Sequence, residues 1–340
     1  MALRAGAIRF NTDSSQMEIY NGFEWTGIQA TSPELQTGGT RGLFHGFFND
    51  SDTNRTVDYV QISSTGNAID FGDMNSNAQF YGGATSSRTL SYYVGGQNMG
   101  GSNSNQIQYF TMSSTGNGTD YGDLTTAVTY SNSGASNGTR GLSGGGGYTG
   151  GANSNVIEYF ALQTSGSGKD FGDLSAAQFS GPGVACSKTR SIFTSNASGS
   201  ASNYKYMDYV QTATLGNAAD FGDQSQGFGH HGQGIASNAV RGVLVSSYYA
   251  PAKVNTVEYV TIATLGNSQD FGDLTQVRIM SGCAASSTRL VVSNGRTDGP
   301  GYVNTIDYAQ IMTTGNFVDF GDSTVGSDMR PGASNGHGGL

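Results

Sequence analysis

The sequence predicts an all-β repeat protein, because three markers recur in register six times along its 340 residues. The first marker is the tetrapeptide Asp-Phe/Tyr-Gly-Asp, which begins at Asp70, Asp120, Asp170, Asp220, Asp270 and Asp319. The second is a tyrosine 11 residues earlier, at Tyr59, Tyr109, Tyr159, Tyr209, Tyr259 and Tyr308. The third is an arginine near the start of each copy, at Arg41, Arg88, Arg140, Arg190, Arg241 and Arg289. Self-similarity at a fixed period is typical of repeat architectures.

Each repeat has room for four short strands. The first begins at the arginine, as in residues 88–94, and the second contains the tyrosine, as in residues 257–262. The third ends at the tetrapeptide, and a weaker fourth follows, as in residues 276–280. β-branched and aromatic residues favour strands here, and glycines interrupt any helical period. A period near fifty with four strands is the size of a propeller blade. We therefore predict a six-bladed β-propeller over residues 37–340.

The C-terminal tail repeats the opening of a copy. Residues 333–340, Ala-Ser-Asn-Gly-His-Gly-Gly-Leu, match residues 135–142, Ala-Ser-Asn-Gly-Thr-Arg-Gly-Leu. The chain therefore stops where a seventh arginine strand would begin. We expect this tail to pack near residues 37–43 and to help seal a closed ring.

Residues 1–36 lie outside the repeat and predict a small β-meander. Residues 6–11 and 16–20 have strand composition, and Asn21-Gly22 is a hairpin signal into a third strand that carries Trp25. Because three short strands are only marginally stable alone, we expect this module to dock on the propeller or on a partner.

Composition and charge exclude several classes of protein. A net charge of −9 with only 16 basic residues argues against nucleic-acid binding, which requires cations to replace phosphate counterions. The absence of any apolar run of about 18 residues argues against membrane insertion, and residues 1–6 show no secretory signal. Cys186 and Cys283 lie in repeats two apart, so we expect small buried thiols and no disulfide.

The repeated charged residues are interpreted as a structural network. It comprises the six arginines and the last aspartate of each tetrapeptide, at Asp73, Asp123, Asp173, Asp223, Asp273 and Asp322. Two carboxylates three residues apart at a turn could also share a calcium ion. We favour turns in which the aspartates bond backbone amides and pair with the repeat arginine, and we expect no metal or cofactor.

The sequence carries no catalytic motif. The histidines are His45, His230, His231 and His337, and the adjacent pair lacks the spacing of a zinc site, so a solvated loop is favoured. There is no nucleophile elbow and no phosphate-binding loop followed by a helix. We therefore expect that the protein is not an enzyme. A propeller-based glycan-active enzyme, the alternative, would need an acid pair or a metal in the central channel.

The linker between the first two strands differs among copies, unlike the strands. Constant strands with variable loops rich in Tyr, Asn and Gly are typical of binding surfaces. The candidate recognition rim consists of Tyr148, Tyr204, Tyr206, Tyr248, Tyr249 and Tyr302. The alternative is that these tyrosines pack on neighbouring loops.

The repeat resembles a degenerate kelch blade across residues 37–340. The arginine strand that leads to glycine, the Asn-x-Ile/Val-acid-Tyr phrase and the aromatic before the fourth strand follow the kelch order. The kelch double glycine is clear only at Gly95-Gly96 and in the run from Gly144 to Gly147, and Phe or Tyr replaces the kelch tryptophan. This resemblance implies a fold and no particular activity.

Other segments resemble bacteriophage proteins. Gly-x-Ile-Arg-Phe-Asn-Thr-Asp followed by Glu-Ile-Tyr-Asn-Gly-x-x-Trp, in residues 6–25, resembles short β modules of tail fibres and other virion proteins. The repeat at 259–274 and the Ser-Asn-Gly-His-Gly-Gly-Leu ending resemble propeller-type structural proteins of marine tailed phages.

These resemblances imply a non-enzymatic virion protein, assembled in the host cytoplasm and located in the virion. As a tail fibre or tail-tip protein, it would bind other virion proteins through residues 1–36 and present its loops to a host-surface glycan or receptor. A capsid or tail decoration protein that makes only virion contacts is the alternative.

Overall fold

The computed structural model describes residues 4–11, 16–28, 40–49, 52–75, 80–98, 101–129, 132–148, 152–178, 183–195, 205–225, 234–245, 248–249, 252–297 and 301–340. These residues form strands and turns, and no helix occurs among them. Accordingly, the described ranges contain no helix that could cross a membrane. The predicted all-β class is confirmed.

The N-terminal sheet has three antiparallel strands in the order β1 (Ile8–Asn11), β2 (Gln16–Tyr20) and β3 (Trp25–Ile28). The turn between β2 and β3 is closed by Asn21, whose side-chain oxygen accepts hydrogen bonds from the amides of Phe23 and Glu24 at 2.9 Å each. This turn follows the Asn-Gly signal in the sequence.

The repeats form six four-stranded antiparallel sheets, numbered 1 to 6 along the chain. Sheet 1 contains β4 (Arg41–Phe44), β7 (Thr56–Gln61) and β8 (Ile69–Asp73), with a hairpin of β5 (Phe47–Asn49) and β6 (Asp52–Asn54) inserted after β4. Sheet 2 contains β9 (Gly83–Ser86), β10 (Leu90–Val94), β11 (Ser104–Thr111) and β12 (Thr119–Val128). Sheet 3 contains β13 (Asn132–Ser136), β14 (Arg140–Gly144), β15 (Ser154–Ala161) and β16 (Lys169–Gln178).

The second half of the chain repeats this order. Sheet 4 contains β17 (Val184–Cys186), β18 (Arg190–Thr194), β19 (Tyr206–Gln211) and β20 (Ala219–Asp223). Sheet 5 contains β21 (Ile235–Ser237), β22 (Arg241–Val245), β25 (Thr256–Thr261) and β26 (Gln269–Asp273), with a hairpin of β23 (Tyr248–Tyr249) and β24 (Ala252–Lys253). Sheet 6 contains β27 (Gly282–Ala285), β28 (Arg289–Arg296), β29 (Tyr302–Gln310) and β30 (Val318–Asp322).

The fourth strand of sheet 1 comes from the other end of the chain. β31 (Gly332–Ser334) pairs with β4 through Gly332 opposite Phe44 and Ser334 opposite Gly42. It occupies the edge position that β9 holds in sheet 2 and β27 holds in sheet 6. The predicted packing of the tail near the first repeat is confirmed for Arg41–Phe44, and residues 37–39 lie outside the described residues.

Consecutive sheets are hydrogen-bonded through the tetrapeptides. The carbonyl of the last aspartate accepts a backbone amide from the Gly-Asn turn of the next sheet, as from Gly118 to Asp73 at 2.7 Å. Sheet 6 makes the same bond to sheet 1, from Ala68 to Asp322 at 2.7 Å. The other four bonds run from Gly168 to Asp123, Ala218 to Asp173, Ser268 to Asp223, and Phe317 to Asp273.

The apolar core lies between neighbouring sheets. One cluster joins Leu43, Val57 and Phe71 of sheet 1 to Tyr93 and Phe110 of sheet 2. Another joins sheet 6 to sheet 1, through Ala284, Val291, Ile306 and Phe320 on one side and Phe44, Val60, Ile62 and Ala68 on the other. Each sheet therefore buries its apolar residues against both neighbours, and stability depends on these interfaces.

Antiparallel pairing gives the six sheets two sides. The turn side carries the turn that precedes each arginine strand and the Gly-Asn turn that precedes each outer strand. The loop side carries the variable linkers, such as 95–103 between β10 and β11. The chain enters β4 on the turn side and leaves β31 on the same side, where the amide of Arg41 donates to Asn335 Oδ1 at 2.9 Å.

Candidate functional site

The repeat arginines join neighbouring sheets. The guanidinium of Arg41 donates to the carbonyl of Met112 in sheet 2 at 2.8 Å, and Arg289 of sheet 6 donates to Ile62 of sheet 1 at 3.0 Å. The same bond runs from Arg140 to Thr212, Arg190 to Ile262, and Arg241 to Ile311. Each of these five guanidinium groups also lies 4.3–4.9 Å from the ring centroid of its own repeat tyrosine. Charge-assisted bonds and cation–π contacts therefore hold each arginine in place.

Arg88 does not belong to this set. Leu90 takes the arginine position in sheet 2, because it pairs with Thr111 as Arg140 pairs with Ala161. Arg88 lies two residues earlier, in the turn that Ser87 closes through bonds with Leu90. The carbonyl that an arginine would bind, Leu162 O, accepts the hydroxyl of Tyr92 instead. The sequence signal is the uneven spacing of 47 and 52 residues around Arg88.

The predicted pairing of arginines with turn aspartates is wrong. The ion pairs within the described part of the chain are Arg9–Glu18, Arg278–Asp307 and Arg330–Asp58. The predicted bonding of a turn amide is seen at Asp70, whose Oδ1 accepts the amide of Gly72 at 3.1 Å. The tetrapeptide contacts the next sheet through its backbone, since the amide of Asp73 donates to Asn117 Oδ1 at 3.0 Å. Equivalent bonds run from Asp173 to Asn217, Asp223 to Asn267, Asp273 to Asn316, and Asp322 to Asn67. No group of three metal-ligating side chains occurs among the residues whose placement is described.

A buried polar residue just before the repeat tyrosine forms the polar staple between sheets. Asp208 accepts bonds from the amide and the hydroxyl of Ser175 in the preceding sheet, at 2.8 and 2.7 Å. Asp58 likewise accepts from Thr324, which joins sheet 6 to sheet 1. The other staples are Thr125 to Glu158, Ser225 to Glu258, Thr275 to Asp307, and Asn75 to Gln108.

The staple carboxylates were missed as site residues, although an acid occupies this position in five of the six repeats. Burial raises the pKa of Glu158 and of Asp208 above their ordinary values, and the bonds from Thr125 and Ser175 oppose the shift. Asp307 and Asp58 gain a further partner, because Arg278 and Arg330 lie 3.1 and 2.7 Å away with all four side chains fully buried. The staple nearest the chain ends is thus an ionic one.

The six edge strands β9, β13, β17, β21, β27 and β31 contact one another in a cycle. They enclose a cavity of about 40 Å³. Its polar lining consists of Thr85, Ser86, Cys186, Ser237, Cys283, Ser334 and His337, and no carboxylate is among the lining residues that the structure describes. Such a cavity holds a few water molecules at most.

Residues 335–340 close the cavity on the turn side, and we call them the plug. Within the plug, His337 Nδ1 lies 3.5 Å from Cys186 Sγ and Nε2 lies 3.1 Å from Ser136 Oγ. The amide of Gly338 donates to Ser237 O at 2.9 Å. A Cβ on Gly338 would lie 2.1 Å from Asn238 O, so only glycine fits this close approach.

Both cysteines are free and buried, as predicted. Burial opposes ionisation of Cys186, but the neighbouring His337 outweighs it and lowers the pKa of this thiol. Burial raises the pKa of Cys283 to about 12. Of the other histidines, His45 is fully buried between Pro331 O and Ser91 Oγ. His230 and His231 lie outside the described residues.

The candidate recognition rim is described only in part, and its three described side chains are half-buried. Tyr148 is half-buried and its hydroxyl accepts a bond from Ser154 Oγ at 2.8 Å. Tyr302 is half-buried, with Arg296 5.5 Å from its ring centroid. Tyr206 is half-buried at the start of β19, and Tyr248 and Tyr249 form β23. Tyr204 and the side chains of Tyr248 and Tyr249 lie outside what is described.

Comparison with known proteins gives no identification. No protein-family model matches the chain, and no curated protein matches it. Function must therefore be argued from the geometry and the sequence resemblances alone.

Proposed function

We propose that the protein is a non-enzymatic bacteriophage virion protein, a tail fibre or tail-tip propeller that presents loops for host-surface binding. Residues 1–36 attach it to other virion proteins, and residues 37–340 form six kelch-like blades. The observation that carries the proposal is that the N-terminal sheet and the variable linkers join the six sheets on opposite sides.

The six-bladed propeller is supported by the order of contacts. Every sheet bonds the next through tetrapeptide and staple, and sheet 6 bonds sheet 1 through Ala68–Asp322, Thr324–Asp58 and Arg289–Ile62. The edge strands contact one another in the same cycle. Six equivalent interfaces in a cycle, with one sheet shared by the two chain ends, fit a closed ring of radially arranged blades.

Attachment and presentation are supported by the topology. The chain enters sheet 1 at residue 40 on the turn side, which supports an attachment module on that side. The linkers that differ among repeats emerge on the loop side, free to meet a second surface. Similarity of residues 6–25 and of the C-terminal ending to phage structural proteins supports a virion as the assembly.

Localisation on intact particles tests the proposal. Gold-labelled antibody against residues 37–340 should decorate the tail tip or fibres. Deletion of residues 1–36 should abolish incorporation into particles while leaving the six sheets folded by circular dichroism. Particles that retain the truncated chain would remove the attachment role of this module.

A capsid or tail decoration protein is the second candidate, and the tyrosines favour it. Tyr148 and Tyr302 already have partners within the chain, Ser154 and Arg296, as packing residues would. Antibody label spread over the head would support this candidate and would assign the tyrosines to packing. Label confined to the tail, with loss of host adsorption in a Tyr148→Ala and Tyr302→Ala double variant, would support the adhesin.

A further inference from the structure

Exposed apolar side chains concentrate on two surfaces of the described chain. Twelve large apolar residues are exposed, and five of them lie in or beside the N-terminal sheet. Six of the other seven lie on the turn side of sheets 1, 4, 5 and 6. We call these six the apolar arc: Ile69, Leu215, Val240, Leu265, Met312 and Val318.

The apolar arc breaks the sixfold repetition of the sequence. Leu215 and Leu265 are more than half exposed in the Gly-Asn turns of sheets 4 and 5, where sheets 2 and 3 have Thr115 and Ser165. Ile69 and Val318 open the outer strands of sheets 1 and 6, where sheets 2 and 3 have Thr119 and Lys169. The exposed large apolar residues of the turn side therefore lie on four sheets, and sheets 2 and 3 have none among their described residues.

Hydrogen bonds bring the segments that carry three arc residues together at the junction of sheets 5 and 6. The carbonyl of Val240 accepts the amide of Ile262 at 2.9 Å, which sets Val240 beside the turn that carries Leu265. The next residue, Arg241, donates to the carbonyl of Ile311 at 3.1 Å, directly before Met312. A concentration of exposed apolar residues on one side of the molecule indicates an interaction site.

The N-terminal sheet has a matching apolar face. Ile8 lies opposite Ile19, and Phe10 lies opposite Met17, on one face of the sheet. These four side chains are 37–59% exposed. The other face is polar and satisfied, since Arg9 bonds Glu18 at 2.7 Å and lies 4.3 Å from the ring centroid of Trp25.

We propose that the apolar face of the N-terminal sheet docks on the apolar arc of the same chain. Both surfaces are uncovered in the structure, and a three-stranded sheet with an open apolar face is marginal in water. The linker after β3 enters sheet 1 at residue 40 on the turn side, which is the side that carries the arc. Twelve residues, 29–40, span at most about 40 Å when extended, which allows the sheet to reach its own arc.

Docking leaves the polar face of the N-terminal sheet available. Trp25, Tyr20 and Arg9 lie on that face, so an attached partner would meet these side chains and not Ile8 or Phe10. The docking proposal stands whether or not the protein belongs to a virion, since it depends only on the two apolar surfaces.

Trp25, the only tryptophan of the chain, reports on docking. Time-resolved fluorescence anisotropy of the full chain should decay with the single slow rotation of the whole molecule. The arc variant Leu215→Ser, Leu265→Ser, Met312→Ser should add a fast component. Backbone amides of residues 8–28 should then exchange roughly tenfold faster or more. The matched control is Val277→Ser, an exposed apolar residue outside the arc, which should behave as the unmodified chain.

A second variant tests the other surface. Ile8→Thr with Ile19→Thr keeps strand-forming residues at a directly opposed pair and should give the same fast component. A fast component already present in the unmodified chain would overturn the proposal, as would an arc variant indistinguishable from the control. Docking that appears only with rising concentration, together with dimer in sedimentation, would assign the arc to a second copy and overturn same-chain docking.

Discussion

At the scale of single residues, the residue at the staple position provides a buried hydrogen-bond acceptor at each interface between neighbouring sheets. Five repeats use a carboxylate and sheet 2 uses Gln108, which accepts the amide of Asn75 at 2.9 Å. An amide oxygen therefore suffices to satisfy the donor from the preceding sheet. The need at this position is for a buried acceptor, and a negative charge is not required.

Glu158 provides the test of that argument. Glu158→Gln keeps an acceptor for the amide of Thr125 and should change the free energy of unfolding by less than about 1 kcal/mol. Glu158→Ala removes the acceptor for this part-buried amide and should cost about 1–2 kcal/mol. Urea unfolding of the two variants measures the difference. Equal losses for Gln and Ala would show that the charge itself stabilises the interface.

His45 should make stability depend on acid. Burial lowers the pKa of His45 to about 4 from an ordinary 6.5, so the folded state holds this ring neutral. The contribution of His45 to the free energy of unfolding is complete above pH 6.5. It is lost as pH falls towards 4, because the ring binds a proton at higher pH in the unfolded chain than in the folded one. The loss at pH 4 is on the order of 3 kcal/mol.

His45→Gln removes that titration and should flatten the decline between pH 6.5 and 4 relative to the unmodified protein. His337 titrates in the opposite sense, since contact with Cys186 outweighs burial and raises the pKa of its imidazole. The informative quantity is therefore the difference between the two unfolding curves at each pH. Parallel curves would contradict the assignment to His45.

Sequence reasoning located the charged residues but misassigned their partners. The tetrapeptide aspartates recur more visibly than the staple acids, yet burial distinguishes the two: Asp208 is 2% exposed, whereas Asp220 is an exposed residue. A residue can recur because its backbone makes a conserved contact, as in the tetrapeptide, or because its side chain does. The sequence alone does not distinguish these two causes. The displaced Arg88 could have been detected from its spacing.

At the scale of elements, a glycine contact sets how closely consecutive sheets approach. A Cβ on Gly122 would lie 2.6 Å from the carbonyl oxygen of Gly166 in sheet 3, and the φ of Gly122 is 151°. Gly166 itself has open space around its Cβ position. The two glycines of one contact are therefore under different constraints, although both recur along the sequence.

Alanine substitution should separate these two glycines. Gly122→Ala must push the neighbouring turn away and should destabilise by about 2 kcal/mol or more. Gly166→Ala should be neutral or should stabilise by up to about 1 kcal/mol, because it restricts the unfolded chain. Thermal and urea unfolding of the pair give the comparison. A loss of equal size in both variants would contradict the tight contact.

The plug is the element that sequence pattern described least well. The match of residues 333–340 to 135–142 predicted where the tail packs, but not that His337 enters the central cavity. That position follows from β31 filling the edge of sheet 1, which carries the next residues onto the axis shared by the six edge strands. No local sequence signal contains this information, because it depends on where distant strands meet.

The two cysteines report on the plug. In the unmodified protein both thiols should resist iodoacetamide, since both are buried. Deletion of residues 335–340 opens the cavity that both thiols line. Cys186 loses its direct contact with His337 and should therefore be alkylated clearly faster than Cys283. Peptide mapping by mass spectrometry gives the modified fraction at each site. Equal labelling of both would indicate general unfolding and not loss of the plug.

At the scale of the whole molecule, the six interfaces share one design, but the interface between sheets 6 and 1 depends on both chain ends. Its staple is reinforced by Arg330, whose guanidinium bonds Asp58 at 2.7 Å and also donates to the carbonyl of Phe44. His45 bonds the carbonyl of Pro331, one residue before β31. The segment that leads into β31 is therefore tied to sheet 1 by buried polar groups, which are costly to leave unpaired.

Removal of β31 should consequently affect the whole molecule more than removal of the plug. Deletion of residues 335–340 leaves β31 paired with β4, so the chain should keep the oligomeric state of the unmodified protein with a modest loss of stability. Deletion of residues 332–340 leaves β4 as an open edge strand, and such edges pair with other chains. That variant should unfold at a much lower temperature, scatter X-rays with a larger radius of gyration and aggregate at high concentration. If both deletions give the same melting temperature and radius, the four-stranded completion of sheet 1 contributes little, and the cycle of contacts is held by the other staples and arginines alone.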